Sequence, residues 1–185
     1  DTLLADEQTS RQDVKAAFAS LTIGSGSAAV VLARRDLVPS APRLTGATVR
    51  ADSAAHKLCE GGTAVGNFGD DRPRMHTDSE ALLHAGIRLA HRTWESFCGE
   101  NHFGNNPVNK AFSHQVGRAH RKLLFERLQL NPSIDYSTVE YLGNTGSVAL
   151  PTALSLGLEA GHARPGDRIA LLGIGSGLNS IMVAI

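Results

Sequence analysis

Residues 147–158 read Ser-Val-Ala-Leu-Pro-Thr-Ala-Leu-Ser-Leu-Gly-Leu, a helix-length stretch with no charge on any face. Pro151 falls in the first turn, where its missing N–H costs no intrahelical bond. Gly161, just past Glu159, suits a left-handed stop. A helix that is apolar or small all round is normally buried all round. A domain of 185 residues ordinarily leaves each of its helices one wet face. The segment therefore predicts a helix held between two sheets, one of which this chain need not supply. The competing reading is a central helix of one compact domain.

Around that segment the chain alternates short strands and helices. Residues 1–20 read as a polar helix, with Thr9-Ser10 as a cap before Arg11-Gln12-Asp13-Val14-Lys15. After Gly24-Ser25-Gly26-Ser27, the apolar run at 28–33 is bounded by Arg34-Arg35-Asp36, the pattern of a buried strand. Residues 43–50 read as a second strand, antiparallel to the first across a turn marked by Pro39 and Pro42. Residues 52–76 have no period and read as a long surface excursion. Thr77-Asp78-Ser79-Glu80 has the form of a capping box. Beyond it Leu83, Ile87, Ala90, Trp94 and Phe97 recur at helical spacing, opposite His84, Arg88, His91 and Glu95. Further strands are expected at 110–113, 139–142, 168–172 and 180–185. A helix is expected at 117–129, with Leu124 and Leu128 inward and Asn131-Pro132 as its stop. Strands come in pairs at both ends of this order, so the sheet should be mixed rather than purely parallel.

Composition narrows the function classes. Formal net charge is zero, so no basic excess points to nucleic acid or to an anionic membrane surface. No apolar run reaches the ~20 residues that span a bilayer, and no signal-peptide pattern opens the chain. Cys59 and Cys98 make no Cys-x-x-Cys pair, which fits a reducing cytoplasm better than a disulfide framework. His56, Cys59 and His76 match no zinc spacing, and no metal is expected. The remaining histidines, His120 and His162 among them, read as solvated residues of helix faces and ends.

Three loops carry the candidate chemistry: His114-Gln115-Val116, Gly143-Asn144-Thr145-Gly146-Ser147 and Gly173-Ile174-Gly175-Ser176-Gly177-Leu178. Each follows an expected strand, and strand ends are where ligands collect in α/β folds. A neutral imidazole and a carboxamide can both donate to an oxyanion, and together they can stabilise an enolate beside a thioester carbonyl. The glycine loop can offer backbone N–H groups to a second oxyanion. Each loop also has a plainer reading: a structural histidine, an Asn chosen for a turn, a dinucleotide-type glycine loop. The last fails on length, since only eight residues follow Gly177 and a nucleotide-binding unit needs a further helix and strand.

Taken in order, His-Gln-Val, Gly-Asn-Thr-Gly-Ser and residues 166–178 (Gly-Asp-Arg-Ile-Ala-Leu-Leu-Gly-Ile-Gly-Ser-Gly-Leu) resemble the 3-oxoacyl-[acyl-carrier-protein] synthase III family. Within it, residues 21–29, 37–43 and 167–179 are most similar to the olefin-biosynthesis acyl-CoA condensing enzymes. The resemblance implies an α/β fold, the C-terminal half of a thiolase-like αβαβα sandwich, with a mixed five-stranded sheet and helices on both faces. Residues 1–20 would be the tail of the preceding half and 21–185 the condensing domain. It implies that His114 and Asn144 are catalytic, that Ser176 and Gly175 contribute to an oxyanion hole, and that Ile174 and Gly143 touch substrate. The nucleophilic Cys and a glutamate base would belong to the preceding half or to a partner chain, in a homo- or heterodimer. Substrates would be thioesters of coenzyme A or acyl carrier protein, with no cofactor and no metal. Claisen condensation is the activity implied. The alternatives are a non-catalytic subunit that completes a heterodimer and its acyl tunnel, and acyl transfer without carbon–carbon bond formation.

Overall fold

The computed structural model describes residues 10–62, 74–101 and 107–185. In chain order its elements are α1 (Arg11–Thr22), β1 (Gly46–Ala51), β2 (Cys59–Gly62), β3 (Arg74–Thr77), α2 (Ser79–Glu100), β4 (Lys110–Ser113), α3 (Arg118–Leu128), α4 (Val139–Leu142), α5 (Ala149–Glu159), β5 (Ile169–Gly175) and β6 (Asn179–Ala184). Helix α1 starts at a reciprocal capping box between Ser10 and Asp13. Thr9 and the rest of the expected helix before it lie outside the described residues.

The main sheet has the order β1-β6-β5-β4; β4 and β5 run parallel, and the other pairs antiparallel. It is mixed, as expected, with four strands among the described residues where five were expected. Beside β4 the next position holds a single bridge, Ala111 to Asp135, rather than a strand. Residues 139–142, expected as a strand, form the short helix α4. Four residues, Val-Glu-Tyr-Leu, are too few to show a decisive period, and here the Gln115 carboxamide settles the matter by accepting from the Thr138 and Val139 N–H groups.

Residues 28–33, expected as a buried strand, join neither sheet. Val30, Val31 and Leu32 are 73%, 88% and 80% exposed. A strand is stable only where its N–H and C=O groups find partners, and this run pairs with no described strand, although β1 lies at the edge of the sheet. The expected partner, β1, pairs with β6 instead. The excursion at 52–76 contains a 3-10 turn at Ser53–Leu58 and the antiparallel hairpin β2–β3; residues 63–73 lie outside the description.

Helices α2 and α3 close one face of the sheet. Phe97, Leu124, Phe125 and Leu128 pack there with Ala111, Ala170, Leu172 and Met182. The buried stripe of α2 is Ala85, Gly86, Leu89, Ala90, Thr93 and Phe97; Ala90 and Phe97 were expected there, while Leu83, Ile87 and Trp94 lie to one side of it. The smaller residues seat the helix near the sheet, while Ile87 and Trp94 flank the core half-buried. Helix α5 lies on the opposite face, over β4 and β5. Its buried residues Ala149, Ala153 and Gly157 recur every four positions. At Gly157 a Cβ would run into the Phe112 ring and stand 3.0 Å from Tyr136 Cγ, so glycine is what lets α5 come this close. The other side of α5 is not enclosed: Leu158 is 38% exposed. Among the described residues no helix is long and apolar enough to cross a membrane.

Candidate functional site

The three loops singled out in the sequence meet on one cavity of about 470 Å³. His114, Asn144, Ile174, Gly175 and Ser176 line it; Gly143 does not. Phe18, Thr22 and Ile23, on and just after α1, form another wall, and Leu82 and Leu83 of α2 a third. Helix α1 is tied to the hairpin by Ser20 Oγ, which accepts from Met75 N–H at 2.6 Å. The wall is largely apolar, suited to an alkyl chain, with a few polar groups at one end.

His114 stands at the carboxyl end of β4, where its backbone N–H donates to Leu172 O at 2.9 Å and extends the parallel ladder. The residues on both sides of it are locked. Asp135 Oδ1 accepts from Ser113 N–H at 2.9 Å, and Oδ2 from Ser113 Oγ at 3.0 Å and Arg121 Nε at 2.6 Å. Gln115, 2% exposed, donates from Nε2 to Ser113 O at 2.8 Å. Its Oε1 accepts from Thr138 N–H at 3.1 Å and Val139 N–H at 3.2 Å. An imidazole mounted between such neighbours has little freedom to wander. Burial pushes the His114 pKa below its ordinary value, so the ring is neutral at pH 7, with one N–H to donate.

Asn144 sits between Gly143 and Gly146, whose φ angles of +67° and +63° lie in the region that glycine favours. Gly146 N–H donates to Asn144 Oδ1 at 2.9 Å. That bond fixes the orientation of the amide, because a backbone N–H needs an oxygen acceptor. The NH₂ group is thereby left as a donor. The backbone carbonyl of Asn144 accepts from Gly24 N–H at 2.7 Å, which holds the segment after α1 against this turn.

Gly175 and Ser176 bring the β5–β6 turn to the cavity rim. Leu178, 2% exposed, anchors that turn, and its carbonyl accepts from Asp52 N–H at 2.8 Å. Ser176 Oγ donates to Cys59 Sγ at 3.3 Å, and Cys59 in turn lies 3.6 Å from Thr77 Oγ1. Cys59, set aside above as a metal ligand, thus lines the same cavity from strand β2. Cys98 lies in α2 with its thiol pushed up by burial, the opposite of an activated nucleophile. Among the described residues no three His, Cys, Asp or Glu side chains are grouped to hold a metal.

Sequence reasoning missed three residues of this region. Asp135 and Arg121 carry no local signal. His120 was expected in solvent, yet it is 9% exposed and lines the cavity beside His114. Burial, and then the neighbouring His114, push its pKa down to about 4. A signal existed: His120, Leu124 and Leu128 are spaced by four on one helix, so the stripe that buries the leucines buries the histidine too.

Comparison with known proteins adds a second line of information. Residues 98–185 match the family described as 3-Oxoacyl-[acyl-carrier-protein (ACP)] synthase III C terminal. The Acyl-CoA:acyl-CoA alkyltransferase of Shewanella oneidensis is 37% identical over 188 residues, spanning 100% of this chain and 53% of that protein. The Beta-ketoacyl-[acyl-carrier-protein] synthase III of Bordetella petrii is 27% identical over 156 residues, 83% of this chain and 46% of that one. The crystal structure of Xanthomonas campestris OleA with bound lauric acid and lauroyl-CoA superimposes with a TM-score of 0.88 at 34% identity, over 99% of this chain and 52% of that one. The chain spans about half the length of the relatives it matches.

Proposed function

The chain corresponds to the C-terminal half of the 3-oxoacyl-[acyl-carrier-protein] synthase III family, and from that premise we propose that it supplies the oxyanion-stabilising half of a Claisen-condensing acyltransferase. The first acyl group would be carried as a thioester on a Cys of the preceding half or of a partner chain. The second, a thioester of coenzyme A or acyl carrier protein, becomes an enolate by giving an α-proton to the glutamate base of the preceding half, or by releasing CO₂ from a malonyl group. The enolate carbon bonds to the acyl carbonyl carbon, and the Cys thiolate leaves. His114 and Asn144 NH₂ donate to the enolate oxygen. The N–H of Ser176, beside Gly175, serves the tetrahedral oxyanion together with the nucleophile's own N–H. Ile174 and the Gly143 turn shape the approach of the substrate. No cofactor enters this scheme, and two free cysteines suit a cytoplasmic setting.

One observation carries the reading: His114 and Asn144, thirty residues apart, line a single cavity, and Asn144 has its carbonyl oxygen already engaged so that its NH₂ remains to donate. The test uses the chain joined to its Cys-bearing half and follows condensed product formed from acyl thioesters. His114→Ala and Asn144→Ala should each lower the rate about 10²–10³-fold. A loss of less than roughly threefold in both would favour a second reading, a non-catalytic subunit that only completes a dimer. The exposed apolar run at 28–33 supports the need for a partner under either reading.

A further inference from the structure

His114 and His120 share a second space besides the large cavity. Both border a void of about 10 Å³ on the sheet side of the site, otherwise enclosed by apolar side chains such as Leu124 and Met182 and by Gly173. A space of that size takes about one water molecule. His120 Nδ1 is fully buried and has no described hydrogen-bond partner. Leaving such a nitrogen unpaired costs stability, and native interiors rarely do so. A leucine at 120 would continue the stripe of Leu124 and Leu128 without that cost. The histidine therefore needs a polar partner, and His114 is the polar side chain with which it shares both spaces.

Resting on the reading of His114 as a donor to the thioester oxygen, we propose that His120 is a positioning residue that fixes the tautomer of His114. Its Nδ1–H donates through one water in the void to the His114 nitrogen nearer that water. Neutral His114 then carries its single proton on the other nitrogen, the one that meets the large cavity. The identity of the protonated nitrogen in a catalytic imidazole is set by what the opposite nitrogen bonds. Without His120, both tautomers of His114 are populated, and one of them presents a lone pair where the substrate oxygen needs a donor.

The experiment is nitrogen-15 imidazole NMR on the chain joined to its Cys-bearing half, with condensation rates measured on the same samples. In the wild type, His120 should carry its proton on Nδ1 and His114 should show one tautomer. His120→Leu should convert His114 to a mixture and lower kcat about 10–100-fold, with KM changed much less. His120→Asn, which returns an amide near the Nδ1 position, should recover most of that loss. An unchanged His114 tautomer in the Leu variant, or equal losses in the Leu and Asn variants, would overturn the proposal. Should the Leu variant not fold, the wild-type spectrum decides, because a His120 proton on Nε2 excludes the donation. Failure of the catalytic reading looks different: His114→Ala would condense normally while the tautomer coupling persisted.

Discussion

The two faces of the main sheet are closed to different degrees. The face under α2 and α3 is sealed by the chain's own side chains, with Phe97 and Phe125 at 0% exposure. The face under α5 is covered only over β4 and β5. Farther along it, Val49 of β1 and Ile181 of β6 are direct cross-strand partners, yet 64% and 47% exposed. Both faces belong to one sheet with one hydrogen-bond register. The difference therefore lies in what the chain brings to each side. The sealed face is packed by the chain's own side chains, whereas the open one leaves Val49 and Ile181 without a covering layer among the described residues. The cavity with His114 and Asn144 lies at the sheet end where α1, α2 and the β5–β6 turn meet.

The largest expected effect tests the sealed face. Phe125→Ala removes a fully buried ring from the cluster with Leu124, Leu128 and Ala111. It should destabilise the isolated chain by about 3–5 kcal/mol in urea unfolding. A loss below about 1 kcal/mol would mean that this face is not what holds the chain together, and the contrast would collapse.

The second effect is a pH-sensitive seam within that same face. His120 titrates near 4 when folded, against 6.5 for an unburied imidazole. Between these values the unfolded chain binds a proton that the folded chain refuses. Stability is therefore complete above pH 6.5 and falls as pH drops toward 4. A shift of that size corresponds to about 3 kcal/mol, and His114, also shifted down by burial, adds in the same direction. Urea midpoints at pH 7, 5 and 4 should fall steeply in the wild type and less steeply in His120→Leu. Parallel declines in the two proteins would show that the acid limb comes from other groups.

What could be read from the sequence, and what could not, follows the same division. The uncharged helix α5 was legible because a stretch with no wet face has few places to go. The site loops were legible because their order is distinctive, although their convergence on one cavity needed coordinates. The run at 28–33 was legible as apolar, but not as exposed: pairing is a tertiary event that a local apolar pattern does not specify, and the run pairs with no described strand although β1 lies at the sheet edge. Residues 139–142 were misread for a different reason. Their conformation is set by Gln115, more than twenty residues earlier, whose carboxamide caps the turn at Thr138 and Val139. His120 was misread because Arg118, Arg121 and Lys122 make the first turns of α3 look polar, so the inward stripe read through Leu124 and Leu128 was not extended back to the histidine.

The smallest effect sharpens the comparison most. Val49→Ser with Ile181→Ser changes two side chains that already meet water, so the isolated chain should lose no more than about 0.5 kcal/mol per site. If the open face were instead sealed in solution by the chain itself, for instance by residues 28–33 folding back over it, the double variant would cost several times more. Joined to a Cys-bearing half that covers the pair, the same substitutions remove apolar contact worth about 25 cal/mol per Å². The two halves should then bind about tenfold more weakly, a change of about 1.4 kcal/mol, readable by titration of separately expressed halves. A small cost alone with a measurable cost in the complex is the signature of a surface waiting for its partner. Equal costs in both would place the pair outside the interface and leave the exposed run at 28–33 as the chief point of contact.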